Sequence, residues 1–222
     1  TLNLTDMESN ITELIFIIDK SGSMSGLEKD TIGGFNSMVE KQRNEKGTCH
    51  ISTIFFADNS SVIHNRKNIA NVALLTPADY VPSGSTALLD AIGDAINHTV
   101  RVQRYLSEDE RAQKVVFVII TDGEENASRR FSIAKIKQMI SLEKEKYGWE
   151  FMFLGANIDA IATASNMGIS ADRATNFVCD EQGVDINFRC MSRAVSSLRQ
   201  SGRVNDDWAG EISRDYAKRG RK

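Results

Sequence analysis

The sequence predicts an α/β protein with a mostly parallel central sheet, crossover helices between its strands and one antiparallel edge strand. Short segments rich in β-branched residues alternate with longer segments whose apolar residues recur at helical spacing. This alternation is typical of strands joined by crossover helices. With 222 residues and 41% hydrophobic content, the chain can bury one substantial core. We expect one domain over residues 1–200, then a charged segment over 201–222 that forms a helix and a flexible basic tail.

Six short apolar segments have the character of strands, and one connection fixes the direction of the third. The segments are 13–18, 49–56, 61–65, 114–121, 149–154 and 174–178. Only residues 57–60 separate the second segment from the third, which is too short for a parallel crossover but suits a hairpin. The third strand is therefore predicted to be the antiparallel edge strand.

Five longer segments carry apolar residues at helical spacing. They are 27–44, 87–105, 133–147, 158–167 and 186–200. Leu88, Ile92 and Ile96, for example, form one stripe that should face the sheet.

The last stretch, residues 202–222, differs in composition from the rest. It mixes charged residues with Trp208 and Tyr216 and ends in a basic run over 218–222. We interpret it as a solvated terminal helix with a frayed tail. A tail that docks on a partner or contacts nucleic acid is the alternative interpretation.

The overall charge limits the classes of partner. A formal net charge of -3 argues against attraction of the whole surface to nucleic acid or to anionic membranes. No apolar stretch approaches the roughly 20 residues that cross a bilayer, and no leader-like segment is evident. We therefore expect a soluble, cytoplasmic protein that binds no membrane and is unsuited to nucleic acid.

The cysteines and histidines carry no metal pattern. Cys49, Cys179 and Cys190 are scattered and lack C-x-x-C spacing, which excludes a zinc knuckle and favours buried, reduced thiols. The three histidines lack the spacing of a helical zinc site.

The first candidate for chemistry follows the first strand. The apolar run that begins at Ile15 stops on Asp19, Ser21 and Ser23, an Asp-x-Ser-x-Ser cluster. In open α/β sheets, ligands bind at the carboxyl ends of strands. A carboxylate and two hydroxyls at that position suit a hard divalent cation.

Two later segments complete the candidate site. Thr86 lies in a Gly-Ser-Thr loop before a helix, and Asp122 ends a strand and is followed by Gly123. If Asp19 and Asp122 end neighbouring parallel strands, five oxygen-bearing side chains meet at one edge. Each segment alone is as well explained by helix capping or by a turn, but their joint occurrence favours a metal site.

In these residues the chain resembles the von Willebrand factor A domain family, from about residue 13 to residue 200. The resemblance implies an α/β fold with a doubly wound, mostly parallel central sheet and helices on both faces. It also implies a metal-ion-dependent adhesion site with Mg²⁺ bound, Mn²⁺ or Ca²⁺ being alternatives. It implies that Ser21 and Ser23 bind the ion directly, that Thr86 binds directly or through water, and that Asp19 and Asp122 often act through water. A partner's Asp or Glu side chain then fills the open coordination position.

Small stand-alone bacterial and phage-borne members of that family look similar to this chain. Some of them work beside a chaperone-like ATPase or in stress-resistance operons, so a partner of that kind is an expectation here. In some relatives the final helix moves when the threonine becomes a direct ligand. By resemblance, coordination by Thr86 would be coupled to residues 186–200.

Residues beside the candidate site have structural explanations. Met24 is interpreted as a wall of the site, since thioethers do not suit hard cations. Glu124, Glu125 and Asn126 are interpreted as a solvated acidic loop on the same rim, with a role in the choice of partner as the alternative.

Two classes of function remain after the sequence is considered. The first is a non-catalytic module whose bound cation attracts an acidic partner residue. The second is a Mg²⁺-dependent phosphoryl-transfer or hydrolytic enzyme with Asp19 as nucleophile or base. Against the enzyme, Ser21 holds the second acidic position of the Asp-x-Asp pattern, and no Walker A or G-x-G-x-x-G motif occurs.

Overall fold

A six-stranded sheet in the order β3-β2-β1-β4-β5-β6 forms the centre of the molecule. The computed structural model describes residues 10–220. The strands are β1 Ile11–Asp19, β2 Thr48–Phe56, β3 Ser60–Asn68, β4 Lys114–Thr121, β5 Glu150–Gly155 and β6 Ala174–Asn176. The helices are α1 Glu28–Arg43, α2 Leu88–Tyr105, α3 Ile133–Tyr147, α4 Ala160–Asn166, α5 Glu181–Ser201 and α6 Gly210–Arg219. The predicted fold class is confirmed.

The sheet reverses its winding at β1. This strand pairs in parallel with β2 on one side and with β4 on the other. The hairpin between β2 and β3 makes β3 the antiparallel edge strand, as predicted. In such sheets, the crevice at the carboxyl ends of the two strands that flank the reversal is where ligands bind.

Alternation along the strands divides the core into two layers. In β1, Leu14, Phe16 and Ile18 belong to the layer that α1, α5 and α6 cover. Ile15 and Ile17 belong to the layer under α2, α3 and α4. Both layers consist mainly of apolar side chains, because strands that are buried on both faces carry apolar residues on both.

Helix α5 begins five residues before its predicted start at residue 186. The Asp180 side chain caps it by accepting a hydrogen bond from Gly183 N at 2.8 Å. A Cβ at Gly183 would lie 1.8 Å from the Val178 carbonyl oxygen, so only glycine fits there. This first turn has few apolar residues, and helical periodicity therefore does not reveal it.

The terminal segment is docked on the core rather than solvated. Trp208 and Ile212 are each 2% exposed and join the core layer under α5. The Trp208 Nε1 donates a hydrogen bond to the Asp172 carbonyl at 2.8 Å. The Arg219 guanidinium pairs with Asp180 and Asp215, which ties α6 to the start of α5. The helix expected in this segment is therefore present, but Trp208 and Ile212 pack it on the core, so it is not fully solvated. Residues 221–222 of the basic run lie outside the described residues.

A buried arginine fixes the other end of α5. Arg199 is 2% exposed, and its guanidinium donates to the Gln42 carbonyl at 2.6 Å and to Gln42 Oε1 at 3.0 Å. The second terminal nitrogen donates to the carbonyls of residues 45, 46 and 47. These bonds satisfy carbonyl groups at and just beyond the end of α1, which have no partner within the helix.

Replacing this arginine should destabilise the fold. We expect Arg199→Met to lower the free energy of unfolding by about 3 kcal/mol, because the buried carbonyl and side-chain oxygens of Gln42 lose their donor. Arg203→Met is the matched control, since Arg203 is exposed and should change stability by less than about 0.5 kcal/mol. Chemical denaturation measures both variants. Equal midpoints would show that water replaces the guanidinium at little cost.

A buried carboxyl at the start of β1 should make stability depend on pH. Glu13 is 3% exposed, and burial raises its pKa from 4.5 to about 7, although Arg66 lies 3.0 Å away and opposes the shift. Between these two pH values the folded state binds more protons than the unfolded chain, so stability falls as pH rises. One proton changes the free energy of unfolding by at most about 1.4 kcal/mol per pH unit.

We expect Glu13→Gln to abolish this decline between pH 4.5 and pH 7. The exposed residue Glu108 provides the control Glu108→Gln, which should keep the wild-type slope. Denaturant unfolding at a series of pH values measures the slopes. Parallel curves for wild type and Glu13→Gln would contradict the assignment.

Candidate metal centre

The ends of β1 and β4 bring two carboxylates to one edge of the sheet. Asp19 ends β1, and Asp122 directly follows β4. Both side chains are almost fully buried, at 0% and 2% exposure. The Thr121 hydroxyl donates to Asp19 Oδ2 at 2.7 Å, which joins the two strands at this edge.

The loop after β1 links both serines to these carboxylates. The Ser21 amide donates to Asp19 Oδ1 at 2.7 Å, and the Ser21 and Ser23 hydroxyl oxygens are 3.1 Å apart. The Ser23 hydroxyl donates to Asp122 Oδ1 at 2.7 Å. A short 3₁₀ turn over Gly22–Met24 sets this geometry. Four of the five predicted site residues therefore form one hydrogen-bonded chain.

Thr86 reaches the same edge on a second loop. The loop is held to the first by hydrogen bonds from Gly22 N to Gly84 O at 3.1 Å and from Ser83 N to Lys20 O at 2.8 Å. A Cβ built at Gly123 would lie 3.9 Å from the Thr86 hydroxyl oxygen. The hydroxyl thus lies beside the residue that follows Asp122, and all five predicted residues converge.

Two residues that were interpreted as a solvated loop have structural roles instead. The Asn126 side-chain oxygen accepts from Thr86 N at 2.9 Å, and Asn126 N donates to Thr86 O at 3.1 Å. The Glu125 carboxylate accepts from Leu89 N at 2.9 Å and from the Ser128 hydroxyl at 2.7 Å. Asn126 thereby positions Thr86, and Glu125 binds a free amide at the start of α2. The interpretation as a solvated loop is therefore wrong for Glu125, which is half-buried. Glu124 and Asn126 are exposed as expected, although Asn126 is also hydrogen-bonded to Thr86.

Further residues support the loops from outside. The Asp58 carboxylate accepts from Ser85 N at 3.0 Å, and the Tyr80 hydroxyl donates to the Asp19 carbonyl at 2.5 Å. Met24, at 2% exposure, is part of the core and fits its interpretation as a wall. Neither Asp58 nor Tyr80 has a sequence motif that singles it out.

The site is electrostatically unbalanced without a cation. Burial raises the pKa of Asp122, and neighbouring Asp19 raises it further, while the hydrogen bond from Ser23 opposes the shift. The half-buried Cys179 thiol, 3.8 Å from Asp122 Oδ2, is likewise kept protonated, with a pKa raised to about 12 by burial and by Asp122. Among the described residues, no lysine or arginine forms an ion pair with Asp19 or Asp122.

This donor set fits a hard divalent cation. Hydroxyl and carboxylate oxygens are the ligands that Mg²⁺, Mn²⁺ and Ca²⁺ prefer. Within residues 10–220, no cluster of three or more His, Cys, Asp or Glu side chains could hold a metal. A cation at this edge would therefore depend on the hydroxyls of Ser21, Ser23 and Thr86 as well as on the carboxylates.

Comparison with known proteins decides the family. The model of the von Willebrand factor type A domain matches residues 13–183. The chain belongs to this family. Von Willebrand factor type A domains generally act as metal-dependent protein-interaction modules and are typically not enzymes. No curated protein matches the chain.

Solved structures share the fold of this von Willebrand factor type A domain at low identity. Proximal thread matrix protein 1 from the mussel byssus, whose adhesion motif is occupied by zinc, is 16% identical with a TM-score of 0.59, over 83% of this chain and 46% of its own. The von Willebrand factor type A protein from Catenulispora acidiphila is 16% identical with a TM-score of 0.57, over 85% and 43%. The corresponding domain of the pilus tip protein Mfa5 from Porphyromonas gingivalis is 12% identical with a TM-score of 0.60, over 88% and 98%.

The chain spans less than half the length of the mussel and Catenulispora proteins. Within the described residues of this von Willebrand factor type A domain, none of the helices is both long enough and apolar enough to cross a membrane.

The loop that carries Thr86 should be sensitive at one glycine. Gly84 has a φ of +77°, and a Cβ there would lie 2.2 Å from Asp58 Oδ2. Gly84→Ala should therefore strain the backbone and displace Asp58 from Ser85 N, lowering the free energy of unfolding by about 2 kcal/mol.

Gly26→Ala is the matched control for this loop variant. Gly26 has a φ of +94° with no atom within 4 Å of the added Cβ. Gly26→Ala should therefore lower the free energy of unfolding through backbone strain alone, by about 1 kcal/mol. Denaturant unfolding compares the two variants. Equal losses would mean that the contact between Gly84 and Asp58 is not a constraint.

Proposed function

We propose that this chain is a non-catalytic binding module in which a divalent cation, Mg²⁺ in the first instance, coordinates an acidic side chain of a partner protein. Asp19, Ser21, Ser23, Thr86 and Asp122 would hold the cation. The observation that carries the proposal is the convergence of the Ser21, Ser23 and Thr86 hydroxyls on two buried carboxylates that have no ion-paired lysine or arginine within residues 10–220.

The present hydrogen bonds suggest how the five side chains divide the work. The Ser21 hydroxyl bonds to the Ser23 hydroxyl, which donates to Asp122. Both hydroxyl oxygens can therefore turn lone pairs toward a cation. Both Asp19 oxygens already accept hydrogen bonds, from Ser21 N and the Thr121 hydroxyl. Asp19 therefore suits charge compensation and contact through water better than direct ligation.

The coordination sphere favours an acidic partner. Two carboxylates balance the charge of a divalent ion, but with Asp19 acting through water few of the ion's coordination positions are filled directly by anions. The bound cation would supply an electrophilic position that a carboxylate can occupy. Asn126 fixes the backbone of Thr86 through two hydrogen bonds, which holds this hydroxyl-bearing residue at the site.

The rim of the site indicates what surrounds the partner's carboxylate. Val81 is 60% exposed and lies between Tyr80, which bonds to the Asp19 carbonyl, and Ser83, which bonds to Lys20. An exposed apolar side chain beside a charged contact favours a partner whose acidic residue has an apolar neighbour. A chaperone-like ATPase stays a prediction that rests on the family resemblance.

The enzyme alternative finds no support at Asp19. A nucleophile or general base needs an accessible oxygen within hydrogen-bond reach of its substrate. Asp19 is 0% exposed, and both of its oxygens accept hydrogen bonds. We therefore favour binding without turnover.

Two serines in the same loop provide the first test. Ser23→Ala should abolish the rise in melting temperature that Mg²⁺ produces in the wild type, because one direct ligand is lost. Ser25→Ala, at an exposed position whose side chain is outside the site, should keep the full rise. Thermal unfolding with Mg²⁺, Mn²⁺, Ca²⁺ and Zn²⁺, each against EDTA, measures this. An equal metal response in both variants would disprove the assignment.

The partner is tested by affinity capture with three samples. These are the wild type in Mg²⁺, the wild type in EDTA and Thr86→Ala in Mg²⁺. We expect a protein that only the metal-loaded wild type retains, and whose retention is lost when one of its Asp or Glu residues is replaced by the amide. Equal recovery in all three samples would exclude the metal centre as the contact surface.

A further inference from the structure

A second cavity lies at the opposite edge of the sheet from the metal centre. It has a volume of about 220 Å³ and is enclosed by α2, by α3 and by the starts of β4 and β5. Val115 and Trp149 contribute to it from the amino ends of these strands. Because the metal centre occupies the carboxyl ends, the cavity is not part of it.

One wall of the cavity is apolar and rigid. The Trp149 ring is 6% exposed and stacks on Phe117 with 5.7 Å between the ring centroids. Val100 and Val115 extend this surface. Such a wall can pack against methylene groups or a flat ligand with little loss of side-chain entropy.

The cavity is also lined by the Glu143 carboxylate, one oxygen of which accepts no hydrogen bond from the described residues. Glu143 is 4% exposed, and its Oε2 is buried without a hydrogen-bond partner among the described residues. Leaving such an atom unpaired costs about 1–3 kcal/mol. Gln103, which also lines the cavity, is already engaged, since it accepts from Ala112 N and donates to Glu13.

Two arginines line the exposed part of the same cavity. Arg104 and Arg111 are both exposed, and the Arg111 Nε donates to the Leu106 carbonyl at 3.0 Å. Burial raises the pKa of Glu143, and Arg104 is close enough to oppose that shift. Among the described residues, the two form no ion pair. Guanidinium groups with free N–H donors at a cavity mouth suit a carboxylate or phosphate group.

We propose that this cavity binds a small zwitterion of amino-acid size. Its ammonium group donates to Glu143, its hydrocarbon body packs on Trp149, and its anionic end meets Arg104 and Arg111. The volume supports this size, because it lies below the roughly 300–1,000 Å³ of pockets for drug-sized ligands. The site is independent of the proposed metal-dependent function.

The probes are ω-amino acids from β-alanine to 6-aminohexanoate, each compared with the alkylamine and the alkanoate of matching length. The chain has two tryptophans, so Trp149 and Trp208 give two indole N–H signals in a nitrogen-15-edited NMR spectrum. We expect one chain length to shift the Trp149 signal saturably and leave Trp208 unchanged. We also expect each matched amine and alkanoate to bind at least tenfold more weakly.

Matched variants separate the two ends of the ligand. Glu143→Gln should weaken binding about tenfold or more, because it removes a charge-assisted hydrogen bond. Arg104→Gln and Arg111→Gln should each weaken it about threefold, as exposed ion pairs do. Arg101→Gln is the control, since Arg101 is exposed on the same helix but does not line the cavity.

Three results would overturn the proposal. These are an unshifted Trp149 signal with every probe, amines that bind as tightly as the amino acids, and unchanged affinity in Glu143→Gln. If Glu143→Gln fails to fold, as judged by its NMR spectrum, the two arginine variants decide. Unchanged affinity in both of them would overturn it equally.

Discussion

The parallel pairing of β1 with β4 is the constraint on which the rest of the site depends. Their register places Ile18 beside Ile120, so Asp19 ends its strand next to Thr121, and the hydroxyl of Thr121 can reach its carboxylate. A shift of one residue would exchange the faces of every β1 side chain. Packing of the two apolar core layers therefore sets the strand register, and this register, together with the hydrogen bonds, fixes the positions of the carboxylates.

Much of the fold could be predicted because its signals are local. The β-branched runs and the helical stripes predicted the six strands and five of the helices, including the hairpin that sets the direction of β3. The terminal segment could not be predicted in the same way, because charged residues dilute its apolar ones. Val204, Trp208 and Ile212 recur every four residues and are all buried, which is the signal that would have indicated docking.

The candidate site shows the same division between local and distant information. The Asp-x-Ser-x-Ser spacing is a local signal that identifies Asp19, Ser21 and Ser23 from the sequence. The fold then brings Thr86 and Asp122 to them. Their metal-binding role stays a prediction. Glu125 and Asn126 could not be assigned from sequence because their partners, Leu89 and Thr86, are 36 and 40 residues away. An acidic loop has the same composition whether it is solvated or braced.

The hydrogen bonds of Arg199 restrict movement of α5 along its axis. A slide of α5 along its axis by even one residue, about 1.5 Å, would disturb all the bonds from this guanidinium to the turn after α1. The carboxyl-terminal half of α5 is thus held in place against the turn that follows α1. A displacement of α5 caused by a change at the metal centre would therefore be confined to its amino-terminal end. That end begins after Cys179 and Asp180, beside Asp122.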